Sequence, residues 1–298
     1  MPELPDVTVY VERLRALTIG QPILRFRIVS SFVLRTVSDV NALVGKKVVS
    51  VDRLGKRIVF GLGDQYIVIH LMIAGRLRWN YKAPAKMLLA EIEFTTGKLV
   101  FTEASKKKRA SIHIVTSLEE FDRGGLDVNS RLKQFAERLK SERHTVKRSL
   151  TDPTLFDGIG NAYSDEILHA AKISPFRITT AMTDDEIERL HAATKERLAY
   201  FTDVLRKEVG DGFPDKVTAF RPEMAVHGKY GQPCPVCGTK VQRIVYADNE
   251  ANYCPTCQTE GRLLADRALS RLLKDDWPKT LEELENRSRE RSERLPRK

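Results

Sequence analysis

The 298-residue chain carries 50 Lys+Arg against 40 Asp+Glu, a formal charge of +10, and 42% of its residues are hydrophobic. That length allows two ordinary domains with their own cores, and that composition excludes a disordered chain. The positive excess favours a polyanion partner through counterion release, although ribosomal and membrane-surface proteins share such a charge.

In chain order, Asp6 is expected to cap a helix whose apolar positions Val7, Tyr10, Val11, Leu14 and Leu17 follow helical spacing. Gly20, Gln21 and Pro22 end it. Strands then follow to about Val115: Leu24 to Ile28, Val48 to Val51, Ile58 to Phe60 and Tyr66 to Ile69. Glu91 to Phe94 and Leu99 to Phe101 flank the expected turn Thr95-Thr96-Gly97-Lys98. About seven short strands without intervening helices predict a sandwich or flattened barrel. The run Tyr66–Ala74 is broken by His70 and falls short of the ~18 residues of a membrane span, so no membrane partner is expected. The opening Pro2-Glu3-Leu4-Pro5 is not a secretory signal, which points to a cytosolic chain. From about Ser130 to Val209 apolar residues recur at three and four, with Thr183 capping Asp184-Asp185-Glu186, so this half is helical. A further helix is expected over Leu263–Leu273, then a charged, solvated tail from Trp277.

All four cysteines form one pattern: Cys234-x-x-Cys237, sixteen residues, then Cys254-x-x-Cys257. Val241 to Tyr253 can form a hairpin that brings the pairs together around one structural Zn2+, with thiolates at ~2.3 Å and no open coordination position. Disulfides or a redox pair are the alternatives at this spacing.

The chain opens Met-Pro, from which the initiator Met is usually removed to expose a secondary amine. Such an amine, with an α-amino pKa near ~8, can attack a sugar C1′ and form an iminium without needing a proton. Many chains begin this way for no chemical reason. Here Pro2-Glu3-Leu4-Pro5-Asp6-Val7, the four-cysteine hairpin, and Asp157-Gly158-Ile159-Gly160-Asn161 between them resemble the formamidopyrimidine-DNA glycosylase and endonuclease VIII family. The resemblance runs from residue 2 to about Gln258. It implies an α+β chain: an N-terminal β-sandwich with an N-terminal helix, then a helical helix–two-turn–helix domain with a zinc-finger β-hairpin. The expected limits are 1–120, 130–222 and 226–260, with a helical, charged tail at 261–298.

The implied activity is a glycosylase and abasic-site lyase, working as a monomer on damaged DNA, duplex or locally single-stranded, at the bacterial nucleoid. Pro2 would be the nucleophile, Glu3 the acid/base carboxylate and Lys56 a contact to the phosphate near the flipped nucleotide. His70, Asn161, Lys147, Lys106, Lys107, Arg109 and Asn249 would contact DNA. Three places depart from the family. Ile73 stands where the family has a wedge methionine, with Met72 on the opposite side if the segment is extended. Glu103-Ala104-Ser105-Lys106-Lys107-Lys108-Arg109 replaces a loop that carries an aromatic wedge. Asn249 replaces the arginine of the zinc hairpin that grips phosphate. Sugar chemistry is therefore expected to persist with relaxed reading of the opposite base. A catalytically silent binder of the same fold, or a zinc-ribbon adaptor, is the rival reading.

Overall fold

The computed structural model describes residues 1–37, 39–246, 249–265 and 277–294. The chain divides into two compact units, each drawn from separate stretches: Met1–Val128, Asp152–Ile159 and Leu198–Ala219 in the first, and Asn129–Thr151, Gly160–Arg197 and Phe220–Lys298 in the second.

The first unit begins with helix α1, Leu4–Thr18. It starts earlier than the expected cap at Asp6, because Glu3 occupies the cap position and Pro5 sits in the first turn. A proline there loses no helical hydrogen bond and its fixed φ suits the helix. Asp6 instead reaches back, its Oδ2 accepting from the Glu3 amide at 2.9 Å. Val7, Tyr10 and Leu14 are fully buried on the inner face.

Eight strands follow: β1 Arg25–Ile28, β2 Ser50–Leu54, β3 Arg57–Gly61, β4 Tyr66–His70, β5 Gly75–Trp79, β6 Leu88–Phe94, β7 Gly97–Glu103 and β8 Ser111–Val115. They make two four-stranded sheets, ordered β1-β6-β7-β5 and β2-β3-β4-β8, with every pairing antiparallel. The β6–β7 turn is tighter than expected: Gly97 and Lys98 join β7 and pair with Phe94 and Glu93. Val48 and Val49 lie ahead of β2 rather than in it. One core takes Val7, Tyr10 and Leu14 from α1, Phe26, Leu77, Ile92 and Phe101 from one sheet, and Val51, Ile58, Ile67 and Ile112 from the other. The sheets thus pack face to face as a sandwich, with α1 sealing the same core. The 198–219 stretch is tied to α1 where Arg206 Nε and Nη2 reach the Glu12 carboxylate at 3.0 and 2.6 Å, and Arg13 Nε donates to Gly212 O at 2.6 Å.

The second unit is helical: α2 Leu132–Lys140, α3 Val146–Thr151, α4 Asn161–Ala170 and α5 Asp184–Val209, whose last turns belong to the first unit. Thr183 caps α5 as expected, its Oγ1 accepting from Glu186 N at 3.2 Å while Glu186 Oε2 accepts from Thr183 N at 2.8 Å. Phe135, Leu139, Leu150, Ile167 and Leu190 form its buried apolar surface. The hairpin β9 Gln242–Tyr246 and β10 Asn249–Tyr253 follows, then α6 Pro255–Thr259 and α7 Leu281–Arg294. Leu263–Ala265 are not helical, and the remainder of the helix expected there lies outside the described residues.

Besides its apolar face, helix α4 carries two buried carboxylates that gather donors from the rest of this unit. The buried Glu166 carboxylate accepts from the amides of Ala225, Val226 and His227 at 2.8, 2.9 and 2.9 Å. Its neighbour Asp165 accepts from Lys147 Nζ at 2.5 Å and from Asn252 Nδ2 at 3.2 Å, and its Oδ2 lies 2.8 Å from His227 Nδ1. Removing a buried charged acceptor leaves its donors unpaired. Glu166→Gln, which turns one acceptor into a donor facing an amide, is expected to lower unfolding free energy by about 2 to 3 kcal/mol in a urea titration; a change within error would mean the three amides find other partners.

Candidate active site

The amino terminus is held where α1 begins. Leu4 N donates to Gly158 O at 2.9 Å, and Gly158 has φ +79, where a side chain would be strained. A Cβ on Gly158 would also lie 2.8 Å from Leu4 Cβ, so glycine is needed twice over. Pro2 and Glu3 are buried beneath a half-exposed Met1. Burial lowers the terminal amine below its ordinary pKa; Glu3 and Asp6 raise it, and Arg76 and Lys56 lower it. Those four groups are therefore its electrostatic neighbours. An amine so placed is more readily uncharged at neutral pH than a solvated one.

Lys56 sits in the two-residue loop between β2 and β3, after Gly55 at φ +63. A glycine at the first central position is what a tight II′ hairpin turn requires. Burial lowers the Lys56 ammonium from the ordinary lysine value, with Glu3 and then Asp157 pulling it back up. Arg53 Nη1 donates both to Gly55 O at 2.8 Å and to Asp157 Oδ2 at 2.6 Å.

His70 ends β4. Its Nδ1 accepts from Met72 N at 3.1 Å, which leaves Nε2 as the protonated nitrogen of the neutral ring. Burial, helped by Arg57 and Lys56, pushes its pKa down to about 4. The ring is thus a neutral N–H donor at physiological pH. The segment after it is not extended, so the expected alternation of Met72 and Ile73 does not apply. Leu71 O accepts from Gly75 N at 2.9 Å, Met72 takes φ 51, and Ile73 stands 58% exposed at the tip. Arg76 braces that turn, Nη1 donating to Ile73 O at 3.1 Å and Nε to Val217 O at 2.9 Å.

The basic loop between β7 and β8 carries Lys106, Lys107 and Arg109. Its base is fixed by the buried Glu103 carboxylate, which accepts from Arg109 N at 3.1 Å and Ala110 N at 3.3 Å. The first unit thus gathers Pro2, Glu3 and Lys56 around the terminus, with Lys56 also acting on His70, and carries the basic loop. Asn161, Lys147 and Asn249 belong to the second unit. Asn161 opens α4. Lys147 Nζ turns onto α4, donating to Asn161 O at 3.1 Å and Ser164 Oγ at 2.9 Å besides Asp165. Asn249 begins β10 opposite Tyr246, and the hairpin tip between them lies outside the described residues. Arg243 on β9 lies 4.5 Å over the Tyr230 ring and 3.5 Å from Glu250. Arg53, Arg76, Glu103 and the inward role of Asp157 escaped the sequence reading, because isolated polar residues in strands and loops leave no periodic signal.

The four cysteines converge as their spacing predicted, with all ligand sulfurs within 4.8 Å of one another. Separations of 4.0 Å for Cys234–Cys257, 3.4 Å for Cys237–Cys254 and 3.5 Å for Cys237–Cys257 exclude disulfides, whose sulfurs sit ~2.05 Å apart. They suit a tetrahedral zinc, whose ~2.3 Å bonds place sulfurs roughly 3.8 Å apart. His169 Nε2 lies 3.2 Å from Cys234 Sγ, placed to donate to that thiolate. Thr239 and Thr256 hydroxyls join the two knuckles at 2.8 Å.

Residues 1–110 match the model of the formamidopyrimidine-DNA glycosylase N-terminal domain, 125–205 the H2TH domain of that family, and 231–259 a zinc finger found in FPG and IleRS. The chain is 32% identical over 272 residues to the formamidopyrimidine-DNA glycosylase of Thermus thermophilus, covering 88% of this chain and 100% of the relative. It is 44% identical over 149 residues to an uncharacterized formamidopyrimidine-DNA glycosylase-like protein of Mycobacterium tuberculosis, covering 50% of this chain and 91% of that one. Its fold is similar to the crystal structure of MutM (Fpg) from Thermus thermophilus, with TM-score 0.74, 31% identity, and coverage of 86% and 98%. Lactococcus lactis Fpg in complex with abasic-site DNA gives TM-score 0.74 at 26% identity, covering 86% and 99%. The wild-type Lactococcus lactis Fpg in complex with DNA containing an oxidized pyrimidine gives 0.74 at 27%, covering 87% and 100%.

Two outcomes follow from this geometry. The His70 ring is expected to stay neutral by NMR down to about pH 4. Its folded pKa lies below the unfolded 6.5, so its contribution to stability is full above that value and is lost as pH falls toward 4. A midpoint near 6.5 would contradict the buried acceptor role. Chelation is expected to release one zinc per chain and lower Tm, with Cys237→Ser binding metal more weakly; an unchanged melt after complete metal removal would contradict it.

Proposed function

The chain belongs to the formamidopyrimidine-DNA glycosylase family, and from that membership we propose a bifunctional DNA glycosylase and abasic-site lyase of base excision repair. The carrying observation is the amino terminus lying beside Glu3 and Lys56 at the start of α1. With Met1 removed, the Pro2 nitrogen becomes a secondary amine in the same surroundings. It attacks C1′ of a damaged nucleotide, the C1′–N bond to the base breaks, and the base leaves with a proton. The C1′–O4′ bond then opens as O4′ takes a proton, and the resulting C1′=N iminium carries a fixed positive charge and acidifies C2′. Loss of that proton expels the 3′ phosphate, and a second elimination releases the 5′ phosphate. Glu3 serves as the acid/base that moves these protons.

Around this chemistry Lys56 holds a phosphate next to the flipped nucleotide, and His70 donates Nε2–H to another. Asn161, at the amino end of α4, Lys147 and Asn249 belong to the DNA contacts carried by the second unit, with Lys147 acting mainly by fixing α4. Zinc, held by Cys234, Cys237, Cys254 and Cys257, stabilises the hairpin and takes no part in the reaction. No helix among the described residues is long and apolar enough to cross a membrane, and we place the enzyme in the bacterial cytoplasm, at the nucleoid that holds its substrate.

The lesion class follows from the wedge. Extruding a base costs a few kcal/mol. Ile73 at its exposed turn offers an aliphatic plug, while Lys106, Lys107 and Arg109 bring charge without an aromatic ring. This favours weakly stacked sites: abasic sites, oxidised pyrimidines and ring-opened purines. In borohydride trapping on an abasic duplex, the wild type is expected to form a covalent complex and Pro2→Gly at least about tenfold less. No trapping by the wild type would leave a DNA-binding protein of the same fold. Cleavage of an oxidised pyrimidine is expected to match or exceed that of 8-oxoguanine opposite cytosine; a strong cytosine-dependent preference for 8-oxoguanine would overturn the reading of the loop.

A further inference from the structure

We infer that Asp157 is a positioning residue of the lyase site, tying the Lys56 turn to the loop that pins the amino terminus; this rests on the reading just given. From sequence, Asp157 reads only as the first residue of a glycine-rich loop ahead of a helix. In the structure it points the other way along the chain. Its carboxylate accepts from Arg53 Nη1 at 2.6 Å, and the same Nη1 donates to Gly55 O at 2.8 Å, the carbonyl immediately before Lys56. A Cβ built on Gly55 would lie 3.1 Å from Asp157 Oδ1, so carboxylate and turn are in close contact. The next residue along, Gly158, accepts from Leu4 N. Two successive residues therefore hold both halves of the site, one the nucleophile's helix and the other the lysine's turn.

The loop itself is anchored independently of the site. Asp157 N donates to Leu126 O at 3.0 Å and Leu126 N to Leu155 O at 2.9 Å, a short parallel bridge. Arg53 has a second carboxylate, Asp127, at 3.5 Å. Asp157 is thus a fixed point against which the hairpin turn is set, and a shift of about 1 Å at such a turn costs up to ~100-fold in rate. It is also one of two carboxylates facing Lys56, the other being Glu3. Lys56 in turn acts on the terminal amine and on His70. Neutralising Asp157 weakens the support for the Lys56 cation and moves its loss to lower pH.

The test uses the zinc-loaded full chain with Met1 removed, in single-turnover cleavage and borohydride trapping on an abasic duplex. The variants are Asp157→Asn, Arg53→Lys and the double. Lysine keeps the charge but has one shorter-reaching nitrogen in place of the two with which Arg53 meets Asp157 and Gly55 O through Nη1 and Asp127 through Nη2. Each single variant is expected to slow the chemical step about tenfold or more, with the duplex Kd within about threefold of wild type. The double variant is expected to be no slower than the worse single, because both changes cut one link. In Asp157→Asn the alkaline limb of the rate profile is expected at lower pH. If Asp157→Asn fails to fold, Arg53→Lys carries the same rate and affinity comparison. Rates within about twofold of wild type, a loss carried wholly by affinity, or losses that multiply in the double variant would overturn the inference while leaving the lyase reading intact. A wild type that forms no covalent complex overturns that reading, and the inference with it.

Discussion

Chain ends fray, and a chain end proposed as a nucleophile must not. The amide of Leu4 donating to the carbonyl of Gly158 is what reconciles the two here. Around that bond, Asp6 closes back on the Glu3 amide, Pro5 fixes the first turn, and α1 buries Val7, Tyr10 and Leu14 in the sandwich core. The terminus is fixed by the rigid element that starts three residues later. Burial makes the Met1 amine at this end easier to deprotonate, and Glu3 supplies a carboxylate beside it. A site assembled this way needs very few special residues, because the helix and the loop bring position and pKa together.

The second unit solves a different problem. Its zinc element has only a small apolar cluster, Val226, Cys234, Val241 and Cys254, with Ala225 and Cys257 packed against it. A two-stranded hairpin on so little core is marginal by itself. Four thiolates supply one fixed centre, and charge supplies the other: Glu166 gathers three amides of the approach to the finger, and Asp165 meets Lys147, His227 and Asn252. The buried carboxylates of α4 thus set the start of the hairpin against the helices. Lys147, expected from resemblance to touch DNA, has its ammonium committed to this network.

Pattern made the α+β order legible: the alternation at β1, the continuous β-branched runs of β3 and β4, and the three-four spacing in α5 each mark their element. The cysteine pattern was legible because metal geometry tolerates few spacings. What escaped was polar and non-local. The earlier start of α1 depended on Pro5 and on a carboxylate reaching backwards, the Ile73 turn on a left-handed Met72, and the Arg53–Asp157 pair on residues 104 apart in sequence. A single arginine in a strand reads as a solvated face, and only the fold shows which carboxylate it meets. The Asp-Gly-Ile-Gly run illustrates the limit: sequence marked it as a helix start, while its first two residues lie in the first unit and hold the amino terminus there.

The claim that a free Pro2 nitrogen is the attacking atom is tested most directly by peptide mapping. The wild-type chain would be reduced with borohydride on an abasic oligonucleotide, digested, and the modified peptide sequenced by tandem mass spectrometry. The expected result is a single adduct on the peptide that begins at Pro2, with the sugar remnant on its α-nitrogen. An adduct on the side chain of Lys56, or an N-terminal peptide that still begins with Met1 in the cross-linked fraction, would contradict it.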